Sequence, residues 1–167
     1  MKITIATRQL LLRIDKQKIQ TLADALHAYA QRYVHHNVIP DFKTITLVIT
    51  SNTGIAKVNR LALNHEGPTD VITLAYAATP AAPATAEIFV NAQRAREVGG
   101  QTRARTWSPD HELALYIAHG FDHLAGHDDA SPADARKMRR RERNWVRRAC
   151  AADYVAGLIL GEKRSNG

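Results

Sequence analysis

Two histidines at helical spacing are the residues of this chain whose pattern most directly indicates metal chemistry. His119 and His123 lie in the segment ELALYIAHGFDHLAGHDD, residues 112–129. Side chains four residues apart share one face of a helix, so both imidazoles can reach one metal ion. Residues 113–118 are apolar on nearly every side, which predicts a buried helix. The alternative interpretation is a pair of core histidines with backbone partners.

The third ligand depends on where this helix ends. Gly126 predicts a helix end, because glycine readily adopts the left-handed conformation found just past helix C-termini. A turn there would bring Asp129 back over the metal, and carboxylates are competent zinc ligands. If the helix continued instead, His127 would lie on the histidine face. Gly126 favours Asp129, and His127 remains the alternative.

Two imidazoles and one carboxylate leave a coordination position for water, as in catalytic zinc sites. A metal in such a site activates water for attack on a phosphodiester or an amide. Metalloproteases with this spacing carry Glu directly after the first His, and here that residue is Gly120, which argues against peptide hydrolysis. Asp122 is predicted to orient an imidazole or to accept a proton, or else to be an exposed acid on the rim of the helix.

The composition is that of an ordinary globular chain with a strong positive charge. The 167 residues are 45% hydrophobic and 23% charged, and the net charge is +7. This length suits one domain over residues 1–167, and the charge favours polyanionic partners, although a basic protein without such a partner is the alternative. Cys150 is the single cysteine, which fits a reducing compartment. With neither a signal peptide nor a membrane-length apolar run, we expect a cytoplasmic protein.

Hydrophobic periodicity predicts strands interleaved with helices. The predicted strands cover residues 44–50, 71–75 and 87–90, with one or two more within 2–14. A short helix over residues 53–63 is expected to face inward with Ile55, Val58 and Leu61. The predicted N-caps of the three long helices are Asp15, Ser108 (or Asp110) and Ser131.

The helix that begins after Ser131 is strongly basic. Its cations are Arg136, Lys137, Arg139, Arg140, Arg141, Arg143, Arg147 and Arg148. Met138 and Trp145 are seven residues apart and are expected to anchor its inner face, while Glu142 offsets some of the charge.

Phosphate docking is the functional interpretation of this charge. Next to a site for phosphodiester chemistry we expect Arg139, Arg140 and Arg143 to bind the phosphates of a nucleic-acid backbone. Arg103 and Arg105 of the preceding loop are further candidates. The alternative is a solvated face with no ligand.

The segment HGFDHLAGHDD resembles the H-G-x-L-H-L-x-G-Y-D-H signature of the YbeY family, the metal-dependent endoribonucleases also called rRNA maturation factors. Three further segments resemble family motifs in the family order: VNRLALNHEG at 58–67, PTDVITLAY at 68–76 and AEIFVN at 86–91. Within them, Thr69 and Asp70 match a motif near the family's metal cleft, although both also suit turn formation. Asn91 and Arg94 rank below them.

The chain departs from the family pattern at several positions. Asp129 stands where the third ligand is usually His, and His127 stands where Tyr is usual. Asp122 replaces a usually apolar residue, and Leu63 falls where many members carry Arg.

The resemblance implies an α+β single domain with a mixed sheet of about four strands, packed with helices around a central metal-binding helix of the zincin type. It implies a zinc-dependent, single-strand-specific endoribonuclease that processes the 3′ end of small-subunit rRNA and acts in ribosome quality control. Its partners would be RNA and the ribosome, its cofactor one Zn²⁺, and His119 and His123 would be catalytic residues. Asp122, three residues after His119 on the same flank of the helix, is the further catalytic candidate of this chain. The alternatives are a metal-dependent hydrolase of another class, such as a peptidase, and a non-catalytic ribosome-assembly factor with a structural metal.

Overall fold

The computed structural model describes residues 1–9, 11–34, 41–99, 101 and 107–163. The strands are β1 Lys2–Thr7, β2 Leu12–Ile14, β3 Thr44–Thr50, β4 Val71–Tyr76, β5 Thr85–Asn91 and β6 Ile159–Glu162. The helices are α1 Lys16–Ala30, α2 Asn52–Leu63, α3 Ala92–Gly99, α4 Pro109–Leu124 and α5 Pro132–Ala151, with a 3₁₀ turn at Gln31–Tyr33. None of the helices in these ranges combines the length and the apolar composition needed to cross a membrane.

The larger sheet has four strands in the order β1-β3-β5-β4. The first three are parallel to one another, and β4 pairs antiparallel with β5 at one edge. A separate two-stranded sheet joins β2 to β6. The α+β class and the mixed sheet of about four strands are confirmed. Residues 2–14, expected to form one strand or a broken hairpin, contain two strands that belong to different sheets.

The two faces of the larger sheet are covered by different helices, because alternate residues of a strand point to opposite faces. On β3, Leu47 contributes to the main core with α1, α4 and α5, whereas Val48 packs in a smaller cluster with Ile55 of α2. Leu61 of α2 is 71% exposed, so the expectation that it faces inward is wrong. It lies about 240° around the helix from Ile55.

Helix α4 is the central helix of the main core, and residues 113, 114, 117 and 118 are fully buried in it. It passes so close to β5 that a Cβ on Gly120 would overlap the Cγ2 methyl of Ile88. The predicted starts of the long helices are confirmed: Asp15 and Ser131 accept backbone N–H groups of α1 and α5, and Ser108 is the N-cap residue of α4. The close packing of α4 on β5 fixes the position of the C-terminal end of α4 relative to the sheet.

Candidate metal centre

The predicted ligands converge where α4 ends. The Nε2 atoms of His119 and His123 lie 3.1 Å apart. Oδ2 of Asp129, in the loop after the helix, lies 3.9 Å from Nε2 of His119. One ligand atom from each residue lies within 4.8 Å of the other two. The His119 side chain is 21% exposed and that of Asp129 is 49% exposed, so the cluster is open to solvent on one side.

The second nitrogen of each imidazole has its own acceptor. Nδ1 of His119 lies 2.6 Å from Oε1 of Glu142, and Nδ1 of His123 lies 3.0 Å from the backbone carbonyl of His127. A carbonyl and a carboxylate only accept hydrogen bonds, so both Nδ1 atoms carry the ring proton. In the neutral rings, both Nε2 atoms therefore present lone pairs to each other. A proton or a metal cation between them is needed to remove this repulsion.

This donor set fits a zinc ion. Two nitrogens that each lie about 2.0–2.1 Å from a tetrahedral ion are about 3.4 Å apart, close to the separation of the two Nε2 atoms. Two imidazoles and one carboxylate are ligands that zinc accepts, and three protein ligands leave a position for water.

The electrostatics around His119 also favour a positive charge. Burial lowers the pKa of this imidazole, but the hydrogen bond and charge of Glu142 outweigh it, with smaller contributions from Asp70 and Asp129. The net effect raises the pKa of His119 above its ordinary value. The same negative surroundings would favour a bound cation.

Glu142 is the residue of this centre that the sequence prediction missed. It lies on the inner face of α5, is 4% exposed, and its carboxylate contacts the His119 imidazole. A carboxylate in this position fixes the tautomer and the orientation of a metal-binding histidine. The signal was available in the spacing, since Glu142 falls between Met138 and Trp145 on the face that the sequence predicted to be buried.

The imidazole of His127 points away from the cluster. Its Nε2 lies 2.9 Å from the backbone carbonyl of Tyr33 and 3.9 Å from Oδ1 of Asp122. The helix ends before it as expected, with Gly126 at φ 84°. The geometry thus favours Asp129 over His127 as the third ligand, and the backbone of His127 supports His123 instead.

Asp122 lies in the interior, at the interface of α4 and α5. It is fully buried, so it is not an exposed acid of the helix rim. Both of its carboxylate oxygens accept hydrogen bonds from Arg141 of α5, at 2.9 to 3.1 Å. Burial raises the pKa of Asp122 to about 6, with the Arg141 guanidinium opposing that shift. Its carboxylate is thus held in a buried ion pair, and it acts on His119 through its charge rather than through a hydrogen bond.

Thr69 and Asp70 form a turn that leads into β4. Oδ1 of Asp70 accepts hydrogen bonds from the Thr69 hydroxyl and from the backbone N–H of Val71, both at 2.9 Å. Asn91, fully buried at the end of β5, donates from its side chain to the Thr69 carbonyl at 2.9 Å. Because the charge of Asp70 acts on His119, this turn lies beside the cluster.

The predicted RNA-binding arginines of α5 are exposed. Arg139, Arg140 and Arg143 project from the helix into solvent, whereas Met138 and Trp145 are buried on its inner face as expected. Arg94 is exposed on α3. Arg103 and Arg105 lie outside the described residues.

The sequence of this chain is similar to proteins named as endoribonucleases. A profile of the family described as Endoribonuclease YbeY matches residues 4–149. Proteins named Endoribonuclease YbeY from Geobacter metallireducens and Salinibacter ruber are each 30% identical, over 86% and 72% of this chain and over 92% and 82% of their own lengths. The relative of that name from Rhodopirellula baltica is 35% identical over 61% of this chain, but the chain spans only about half of it, 52%. This chain belongs to the YbeY endoribonuclease family.

A solved structure shares the fold. The solution structure of TM1509 from Thermotoga maritima superimposes with a TM-score of 0.57 and 17% sequence identity, over 91% of both chains. At this identity the similarity concerns the arrangement of strands and helices.

Proposed function

We propose that this protein is a zinc-dependent endoribonuclease that cleaves single-stranded RNA. The observation that carries the proposal is the pair of Nε2 atoms 3.1 Å apart, each on a ring whose other nitrogen already has an acceptor. Such a pair, with a carboxylate beside it and an open side toward solvent, suits a hydrolytic metal ion. Membership in a family of endoribonucleases directs that chemistry to RNA.

The residues of the centre have distinct proposed roles in binding the metal and in orienting its ligands. His119, His123 and Asp129 would hold the ion, and Glu142 would hold the His119 ring with Nε2 toward it. A bound zinc ion supplies an activated water and withdraws charge from a phosphoryl oxygen. Asp70, the carboxylate of the Thr69–Asp70 turn, acts on His119 through its charge and would accept a proton in the reaction.

The substrate follows from the charge and the family. A net charge of +7 favours a polyanion, and α5, which contacts the centre through Glu142, carries several cations. We further propose that the substrate is ribosomal RNA, at the 3′ end of the small-subunit RNA, and that the protein acts with the small ribosomal subunit in the reducing cytoplasm.

Chelation tests this proposal in a form that also separates the alternatives. Cleavage and binding of a labelled single-stranded RNA are measured in parallel, with the zinc-loaded protein, after chelation, and after zinc is restored. We expect cleavage to stop on chelation and to return with zinc, while a labelled denatured protein stays intact throughout. RNA binding without cleavage under all conditions would replace the nuclease by an assembly factor, and proteolysis would replace it by a peptidase.

A further inference from the structure

An open groove runs along α5 beside Tyr33. Its volume is about 480 Å³, and it is lined by Tyr33, Lys137, Arg140, Arg141, Asn144 and Arg147. The five α5 residues recur at helical spacing and form one stripe of about 15 Å along the helix. We name this feature the α5 groove.

Two of the four cations that line the α5 groove have no acidic partner among the described residues. Arg141 is committed to Asp122, and Lys137 makes an ion pair with Asp134 that is mostly exposed and therefore weak. Within the part of the chain that the structure describes, neither Arg140 nor Arg147 has a carboxylate within ion-pair distance. The groove thus presents two arginines and one weakly paired lysine to an anionic ligand.

An aromatic ring lies at the wall of this basic groove. Tyr33 is 45% exposed. Its ring is packed against Trp145, with centroids 5.8 Å apart, and the Arg141 guanidinium lies 5.9 Å from its centroid. A held and partly exposed aromatic ring beside cations is the arrangement that single-stranded nucleic-acid binders use, since bases stack on the ring while phosphates contact the cations.

The α5 groove is coupled to the candidate metal centre by two hydrogen bonds. The backbone carbonyl of Tyr33 accepts from Nε2 of His127, and the carbonyl of His127 accepts from Nδ1 of His123. A strand held in the groove therefore lies beside the place where hydrolysis would occur.

We propose that the α5 groove is a docking site for single-stranded RNA, with a base stacked on Tyr33 and backbone phosphates on Lys137, Arg140 and Arg147. The proposal rests on the proposed function for its choice of RNA. It keeps Arg140 from the sequence prediction and moves the other contacts to Lys137 and Arg147. Arg139 and Arg143, although exposed on the same helix, do not line the groove.

The charge contacts are tested with two double variants of α5 that remove the same charge. Binding of a labelled single-stranded RNA is measured at several salt concentrations with Arg140→Gln/Arg147→Gln and with the matched control Arg139→Gln/Arg143→Gln. Each phosphate contact on a single strand contributes about 0.7 to the slope of log affinity against log salt, so the groove variant should lose about 1.4 from the slope. The control should keep the parent's slope. Equal slopes for the two variants would overturn the proposal.

The stacking contact is tested at Tyr33. We expect Tyr33→Leu, which keeps apolar bulk against Trp145, to weaken RNA binding by at least about fivefold with an unchanged salt slope. Tyr33→Phe retains the ring and should bind like the parent. The quenching of a 2-aminopurine base in the RNA should also disappear in Tyr33→Leu and persist in Tyr33→Phe. Parent-like binding and quenching by Tyr33→Leu, with its fold verified by circular dichroism, would refute the stacking.

These measurements use the whole chain, both zinc-loaded and after chelation. Chelation stops hydrolysis without altering a groove residue, so the loss of cleavage and the loss of docking are separate readouts. If the protein binds through the groove and cleaves nothing, only the proposed function fails. A duplex of the same sequence should bind more weakly than the single strand, because its bases are not free to stack on Tyr33. Equal or tighter binding of the duplex would contradict a single-strand site.

Discussion

Two buried carboxylates at the interface of α4 and α5 have partners of different chemistry. Glu142 of α5 receives the imidazole of His119 from α4, whereas Asp122 of α4 receives the guanidinium of Arg141 from α5. The first pair includes the His119 imidazole, a group that can exchange a proton or bind a metal. The second joins two groups whose charges neutralise each other, beside the packed rings of Tyr33 and Trp145. One helix interface thus contains a chemical pair and a structural pair, and the partner of each acid, rather than its burial, indicates its role.

The largest effect is expected from removing an imidazole of the centre. His119→Ala or His123→Ala should lose the bound zinc and all RNA cleavage, because two ligands do not retain the ion. Elemental analysis of the purified variants measures this. His65→Ala, which removes an exposed histidine far from α4 in sequence, is the matched control and should keep both zinc and activity. Full zinc content in both ligand variants would show that His119 and His123 are not the metal ligands.

Breaking the Asp122–Arg141 ion pair should lower the free energy of unfolding strongly. Arg141→Ala leaves the Asp122 carboxylate buried without a partner and should lower the free energy of unfolding by about 3–5 kcal/mol. The double variant Arg141→Met/Asp122→Leu removes both charges and should recover most of that loss. Urea unfolding of the parent and both variants provides the numbers. Similar stability of the single variant and the parent would mean that water, not Arg141, satisfies Asp122.

The third ligand is distinguished by its own pair of variants. Asp129→Ala removes a proposed ligand and should weaken zinc binding by more than the about 100-fold that outer residues reach. His127→Ala leaves the cluster atoms in place, because His127 contacts His123 through its backbone carbonyl, and should weaken zinc binding less. Competition with a chromogenic chelator compares them. A larger loss in His127→Ala would exchange the roles of the two residues.

A smaller effect is expected from Glu142→Gln, which keeps the size of the side chain and removes its charge. The amide holds the His119 ring less firmly, so zinc affinity should fall by about 10- to 100-fold while the fold is retained. Replacement of zinc by cobalt gives a second readout, since the visible spectrum should shift with the altered ligand. An unchanged affinity and spectrum would leave Glu142 with a packing role.

Local patterns predicted the parts of the fold that short-range physics determines. The histidine spacing, the start of α4 after Ser108 and its end before Gly126 depend on neighbours in sequence, and the structure has all three. Leu61 is exposed because it lies about 240° around α2 from Ile55, away from the buried face. The spacing of α5 places Glu142 on the same face as Met138 and Trp145, whereas the surrounding arginines suggest an exposed charged surface.

The remaining features depend on contacts that no local pattern contains. Asp122 meets Arg141 across two helices, 19 residues apart in the chain. The α5 groove brings Tyr33, which follows α1, to the basic stripe of α5. Which arginines share a surface with an aromatic ring is decided by how α1 and α5 pack, and the sequence pattern could only identify the helix that carries them.

The close approach of α4 to β5 at Gly120 also limits how this protein could change its chemistry during evolution. The carboxylate that metalloproteases place directly after the first histidine would need a side chain where the Cγ2 methyl of Ile88 already lies. A single substitution to Glu would push the helix off the sheet and move both imidazoles with it. Conversion to a peptidase would therefore require a coordinated change in the strand below, so the distance between one helix and one strand acts as a barrier between two enzyme classes.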